Sequence, residues 1–438
     1  MTVFSTIKKH SGKYLAGSLF SAVVTLLMMK YYTFVFTPSE FGILALYLIV
    51  FEYVRALVSL NMDYGITRLY FDYKDSRRDE YLSTMFWFVF ILASIVIMIA
   101  FLLLPYVPIL IAPDSETMFI ITILAGVLAV FVSFFIRILI NEHYSTSVMK
   151  HNILQTTVNH LSSYLFISVF NLSISGRISG QGLGYLVNVM TLVKEFSREK
   201  LFQLKWQFNK KMASETFMLS TPLMFLYFQN ILFLYLDRIF LKYYIGDSAV
   251  GIYTLGYMLG QGLSLVYEAI SQAILPKFYK ELESDYENSR NELESFSYKY
   301  YFALFVITVI ISFLSPAIVE LISNDDYSQA AEVMPFVMVG FMMGGFYKIP
   351  SLLLGFHKVV WFYPFLAFVS FGANALLNWL LIPIYGIIGA SFASFVGVFI
   401  YSIGMQYFLK KYMSKKYIMI TLAIYIFIFV ITTGVFYG

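Results

Sequence analysis

Charge is what this chain has least of: Asp, Glu, Lys and Arg make up only 13% of its 438 residues, while 59% are hydrophobic. Soluble domains carry roughly twice that charged fraction. Cysteine is absent altogether, which excludes disulfides, iron–sulfur clusters and thiolate metal sites. The five histidines, His10, His143, His151, His160 and His357, show no metal-ligand spacing, so no metal is expected. No GxxxxGK[ST] string occurs, and without that phosphate-cradling loop the chain has no means of its own to couple ATP hydrolysis. The longest polar segments, 194–214 and 276–299, are too short to bury a catalytic core. No enzyme, no cofactor and no nucleic-acid partner is expected.

What is there instead is lipid-compatible. About thirteen apolar runs of roughly 18 to 25 residues fill the chain, and the mean hydropathy is +0.75. The runs are 14–36, 41–62, 82–104, 117–140, 152–170, 178–194, 215–245, 249–275, 300–322, 333–354, 361–382, 387–409 and 417–437. In hydrocarbon the backbone must satisfy its own hydrogen bonds, and long unbroken runs exclude the alternation of a barrel, so the expected class is an all-α polytopic membrane protein. The first run follows Lys8, Lys9 and Lys13 and is too long for a signal-peptide core, so it reads as a retained span. Threaded from a cytoplasmic amino terminus, the inside segments carry 23 of the 30 Lys and Arg, while Arg177 and Lys242 are the basic residues outside. That bias sets the expected orientation. The acidic stretch Lys280–Glu294 reads as a solvated connector, with a surface helix as the alternative.

The chain also repeats. Pro38–Leu46, entering the second run, aligns with Asp247–Leu255, entering the eighth, with Ser39/Ser248, Gly42/Gly251, Ile43/Ile252 and Leu46/Leu255 coincident. Ser179–Gly182 and Gly386–Gly389 recur at nearly the same offset. Six is an even number of spans, so both copies enter the membrane the same way, and the expected relation is a pseudo-twofold axis along the membrane normal with a central cleft. The expected organisation is an N-terminal six-helix bundle over 1–200, a second over 201–412, and an additional C-terminal span over 413–438.

Three strings carry a family resemblance: Leu236-Asp237-Arg238-Ile239-Phe240-Leu241 followed by Ala249–Tyr253, the block Asn378–Ser391, and Pro38–Gly42. Together they resemble the Wzx-type flippases of O-antigen and capsular polysaccharide, within the multidrug/oligosaccharidyl-lipid/polysaccharide exporter superfamily. The resemblance implies translocation of an undecaprenyl-pyrophosphate-linked oligosaccharide across the bacterial inner membrane by alternating access. It also implies a monomer in contact with membrane lipid, with association to polysaccharide polymerase machinery as a further expectation. The extra terminal span departs from the usual twelve.

A pyrophosphate headgroup asks for cations within the membrane, and with Lys194 and Lys242 at run ends counted to the adjoining segments, five basic residues lie inside runs: Lys30, Arg55, Arg137, Arg238 and Lys348. Glu52 shares a helical face with Arg55, so Arg55 reads either as a cavity cation or as half of a packing ion pair. Arg238 next to Asp237 reads as a deep site or as a snorkelling side chain. Lys30 is evenly balanced between function and snorkelling, and snorkelling is the cheaper account of Arg137 and Lys348. Glu52, Asp237 and His160 are the ion-pair or coupling candidates, with His160 read as the only buried histidine and more often a packing residue. Pro222 and Pro335 are expected to interrupt their helices. A cation-coupled drug antiporter of the same superfamily is the competing reading, but it wants an acid in the first span, where Lys30 stands instead. A polysaccharide polymerase is disfavoured by the short outer segments.

Overall fold

The computed structural model describes residues 3–73, 76–107, 111, 116–359 and 361–437, with side chains placed for all of these except 3–15, 76, 222, 272–273, 275–277 and 437. The cluster Lys8, Lys9 and Lys13 thus lies outside the described side chains. Fourteen α-helices and two short 3-10 turns account for the described secondary structure, and no strand occurs among the described residues. In chain order they are α1 (Val3–Val35), α2 (Pro38–Ser59), α3 (Met62–Leu69), α4 (Ser76–Leu103), α5 (Glu116–Asn141), α6 (Ser145–Ser168), α7 (Ser173–Glu199), α8 (Lys210–Tyr244), α9 (Asp247–Ser284), α10 (Tyr286–Phe313), α11 (Ser315–Ile322), α12 (Ala330–Phe356), α13 (Tyr363–Leu409) and α14 (Lys415–Tyr437).

Ten of these helices are long and apolar enough to cross a membrane. The 47-residue α13 is two helices joined at Gly386, whose φ of 57° and ψ of −132° leave the helical region, so it accounts for two of the expected runs. The remaining difference lies in α6 and α7, which are long enough but too polar to be counted by hydropathy. Their polar residues face inward: His151, His160, Ser162, Ser163, Gln181 and Asn188 are buried, and Gly180 and Gly184 bring the two helices together at Ser163 and Asn159. Buried polar groups are tolerated there where they are hydrogen-bonded: His151, Ser162, Ser163 and Asn188 bond across the seam, and His160 bonds to α1.

Helix ends follow local chemistry. Thr37 and Glu40 close a capping box, with the Glu40 amide donating to Thr37 Oγ1 at 3.3 Å and the Thr37 amide donating to Glu40 Oε2 at 2.9 Å. Pro38 takes the first helical position, where its missing N–H costs nothing. The acidic stretch is neither a loose connector nor a separate surface helix: α9 runs to Ser284, and Asp285 caps α10 by accepting from the Asn288 amide at 3.2 Å. Pro335 lies within α12, and α8 runs through position 222, so neither proline ends its helix.

The chain divides into two compact units, 1–36 with 43–231, and 37–42 with 232–438. In the first, α6 packs on α7 and α1, and α5 on α7. In the second, α12 is the central helix, packed against α9, α10 and α13. The C-terminal helix belongs to this core: Tyr417 and Tyr425 are fully buried, Phe436 stacks on Phe392, and Tyr301 bonds Tyr417 at 2.9 Å. Its first turn is held by Glu294, which accepts from the Ser414 amide at 2.6 Å and hydroxyl at 2.7 Å. The second unit also holds the opening residues of the two copies, 38–42 and 247–251, side by side. A Cβ on Gly42 would overlap the Asp247 carbonyl oxygen, and one on Gly251 would overlap that of Pro38. Only glycine at both positions permits so close a backbone approach.

Candidate functional site

The first unit contains a cavity of about 280 Å³ built by four helices. From α2 come Arg55 and Ser59, and from the following turn and α3 come Asn61, Asp63, Tyr64 and Thr67. Val130, Ser133 and Arg137, at spacings of three and four, supply the face of α5, and Tyr227 supplies that of α8. The turn works because Leu60 and Asn61 adopt φ of 42° and 55°, a left-handed step that ends α2 and starts α3 back toward the cavity.

Two cations and two anions meet here. Arg55 Nη1 donates to both oxygens of Glu52, at 2.9 and 3.1 Å. Arg137 Nη2 stands 4.0 Å from Asp63 Oδ2, a looser pair. All four side chains are partly buried. Burial pushes the Asp63 carboxyl above the usual carboxylate range, against the opposing pull of Arg137 and Arg55. The arrangement suits capture of an anion: guanidiniums offer several fixed donors, and each is here held by a carboxylate that an incoming phosphate can displace. Arg137 thus lines the cavity together with Arg55.

The other expected cations lie elsewhere. Lys30, in the first unit, is exposed, with its Nζ 5.9 Å from the Phe34 ring and no ion pair among the described residues. Arg238, in the second unit, does not snorkel. It is 3% exposed, donates to Thr254 Oγ1 at 3.1 Å and the Leu234 carbonyl at 2.6 Å, and lies 4.8 to 5.4 Å from the rings of Tyr235, Tyr253 and Tyr257. Its neighbour Asp237 accepts from Tyr253 and, at 2.9 Å, from Ser394, while its Oδ1 has no hydrogen-bond partner among the described residues. Asn374 and Asn378 continue this buried network. Lys348 pairs with Glu268 at 2.6 Å beside Tyr267 and Tyr347.

His160 is held by hydroxyls at both nitrogens, Tyr32 at 3.1 Å and Thr25 at 3.3 Å, as suits a packing residue. It is not the only buried histidine. His151 is equally enclosed, bonded to Asn188 and Glu195 at 2.7 Å each.

Sequence reasoning missed Asp63, because it falls just past the end of the second run, and His151, because it falls just before the fifth. Glu268 carried a usable signal that went unread: an acidic residue inside an apolar run is itself a flag.

The family described as polysaccharide biosynthesis protein matches residues 7–281. Among curated relatives, an uncharacterised membrane protein of Methanocaldococcus jannaschii is 25% identical over 66% of this chain and 60% of its own length. The Lsg locus putative protein 1 of Haemophilus influenzae is 22% identical over 63% of this chain and 66% of its own. The capsular polysaccharide biosynthesis protein CapF of Staphylococcus aureus is 26% identical over 50% and 56%. The chain therefore spans less than two thirds of the length of each of these relatives. Among solved structures, the lipid II flippase MurJ in an inward closed conformation superposes with a TM-score of 0.73 over 97% of this chain and 98% of that one, at 14% identity. An inward-facing multidrug resistance MATE family transporter gives 0.66 over 88% and 92%, at 13%. At such identities the likeness is one of fold, and the fold is that of MurJ and the MATE transporters.

Proposed function

Because the chain belongs to the polysaccharide biosynthesis protein family, we propose that it is a flippase moving an undecaprenyl-pyrophosphate-linked oligosaccharide from the cytoplasmic to the outer leaflet of a bacterial inner membrane by alternating access. The observation that carries this reading is the pair of arginines, Arg55 and Arg137, opening on one cavity of a multi-pass protein. A guanidinium in the low-dielectric interior is costly and is retained where it meets an anion or a fixed counter-ion. Here Glu52 and Asp63 serve as counter-ions until the pyrophosphate arrives; the diphosphate then takes over the donors and releases the carboxylates. No covalent bond is made or broken. Ser59, Asn61, Ser133, Tyr64 and Tyr227 supply hydroxyl, amide and ring surface of the kind that sugars and phosphates accept. Asp237, with one oxygen free inside the second unit, is the coupling candidate of that unit.

The distribution of basic residues supports a cytoplasmic amino terminus, and the proposed working form is a monomer alongside the polymerase machinery. The competing reading is a drug antiporter on the same fold. A cavity presenting two guanidiniums repels a cationic drug, which favours the anionic lipid substrate.

The experiment is complementation of a bacterium lacking its own polysaccharide flippase. Restored surface glycan together with a falling pool of cytoplasmic lipid-linked precursor supports the reading. Precursor accumulation despite membrane-inserted protein, with drug resistance gained in the same strain, moves it to the antiporter.

A further inference from the structure

The segment 200–209 between α7 and α8 takes no part in the arginine chemistry, yet side chains of α4 tie it down along its length. The Gln203 amide donates to Asp79 Oδ1 and the Gln203 carbonyl accepts from Ser83 Oγ, each at 3.5 Å. The Lys205 amide donates to the same Ser83 Oγ at 3.0 Å, and the Lys205 carbonyl accepts from Trp87 Nε1 at 2.9 Å. The chain bends at Trp206, whose ring stacks on that of Trp87 with centroids 4.3 Å apart. Beyond the bend, the Asn209 amide donates to Thr84 Oγ1 at 3.1 Å and its side-chain amide to Glu80 Oε1 at 2.8 Å. The contacts thus run along α4 from Asp79 to Trp87 and return to Glu80, so the segment is a dip with Trp206 at its tip. All of it lies in the first unit.

The dip reaches into apolar territory. The apolar run of α4 begins at residue 82, and at 1.5 Å per residue Trp87 lies about 8 Å inside it. Around the tip every second residue is a large exposed hydrophobe: Leu204 is 47% exposed, Trp206 89% and Phe208 48%. Gln203, Lys205 and Gln207 stand between them. Past Trp87 the exposed apolar surface continues along α4 through Phe90 and Ile91, on a helix long and apolar enough to cross a membrane.

We propose that this dip is a membrane anchor, seating Leu204, Trp206 and Phe208 at the boundary between headgroups and acyl chains of a phospholipid leaflet. Tryptophan suits that depth because it joins a large apolar ring to one polar N–H. Non-helical backbone is tolerated there where protein groups take its hydrogen bonds, and Asp79, Ser83, Thr84 and Trp87 do so for residues 203, 205 and 209. The charges fit the same occupant. Lys205, near the tip, sends its Nζ back to within 3.9 Å of Asp79 Oδ2, at the charged end of α4. Lys200 caps α7, and Lys210 and Lys211 open α8; all three are exposed and make no ion pair among the described residues. The nearby acids are engaged: Glu80 by Asn209, Glu199 by Arg198 and Glu215 by Tyr73. The ammoniums on either side of the dip are therefore left for lipid phosphates, above an apolar tip that enters the leaflet.

The chain has no cysteine, so single nitroxide labels read the depth directly. Full-length protein in nanodiscs of phosphatidylethanolamine and phosphatidylglycerol carries one label at Gln203→Cys, Leu204→Cys, Trp206→Cys, Phe208→Cys or Lys210→Cys. Collision with oxygen, which concentrates in acyl chains, is compared with collision with a water-soluble nickel chelate. The label at 206 should lie about 5–10 Å below the phosphates, with those at 203 and 210 about 6 Å shallower and those at 204 and 208 between. The labels at 204 and 208 trace the same dip if Trp206→Cys fails to fold. Equal depth at all positions, with nickel reaching the tip freely, overturns the proposal and leaves the segment facing water. A tip shielded from both reagents also overturns it, because protein rather than lipid then covers the three hydrophobes. No step of this test involves pyrophosphate or transport, so the anchor and the flippase reading stand or fall separately.

Discussion

Arg55 is where the competing pulls are clearest. Two hydrogen bonds to Glu52 satisfy part of its fork, and the rest faces the cavity. Charge-assisted bonds of this kind are each worth about 1.5–3 kcal/mol, so Arg55→Ala should reduce export of surface glycan at least about tenfold with protein level unchanged. Glycan export at native level in that variant removes Arg55 from the mechanism. Arg55→Lys keeps the charge and loses the fork, so partial export is expected; full export means that charge alone suffices. Asp63 acts in the opposite sense. Burial raises its carboxyl above the ordinary range, so its proton is still partly held at pH values where an exposed Asp is ionised. As pH falls, Asp63 neutralises, its competition for Arg137 ends, and the cavity becomes more positive. Pyrophosphate binding should therefore strengthen with falling pH, and Asp63→Asn should bind more tightly at neutral pH with a shallower pH dependence. A slope unchanged by Asp63→Asn assigns the pH effect to another group. The in-span cations were legible in the sequence because charge in an apolar run stands out against its background. Their partners were not, because Asp63 lies in a connecting turn and its approach to Arg137 depends on the left-handed step at Leu60 and Asn61.

Among the elements, the string shared by Pro38–Leu46 and Asp247–Leu255 has a structural meaning that alignment alone could only mark. Its two glycines let the first turns of α2 and α9 meet backbone to backbone, Gly42 against Asp247 and Gly251 against Pro38. The sequence carried the equivalence as coincident Ser, Gly, Ile and Leu, but it could not say that the two copies touch. A methyl group at either glycine meets a carbonyl oxygen, and backbone has no rotamer by which to move aside. Gly251→Ala should therefore cost about 1–3 kcal/mol, read as a lower unfolding temperature in detergent. Gly262→Ala, where a Cβ meets open space, is the control and should leave the melting temperature unchanged or raise it slightly. Equal melting of the two variants would show that the α2–α9 approach relaxes at little cost. The polar pair α6 and α7 illustrates the opposite limit of legibility: the sequence marked a run within each helix, yet nothing in it showed that their polar residues form an inward-facing seam.

For the molecule as a whole, the all-α class and the number of apolar runs were legible because the backbone in hydrocarbon has so few solutions. The kink at Gly386 resolves the one long helix into the two runs expected there, and the C-terminal helix is part of the second unit's core through Tyr417, Tyr425 and Phe436. What hydropathy does not fix is which side each loop faces, and the proposed direction of transport depends on it. The chain's lack of cysteine makes this measurable without background labelling. Asn171 and Lys200 lie at opposite ends of α7, both exposed and both with positive φ, which asparagine tolerates best and which cysteine at these surface turns adopts at modest strain. With the basic loops inside, a membrane-impermeant maleimide applied to intact cells should label Asn171→Cys and reach Lys200→Cys only after permeabilisation. The reverse pattern would place the Lys194–Lys211 cluster outside, against the basic-residue bias.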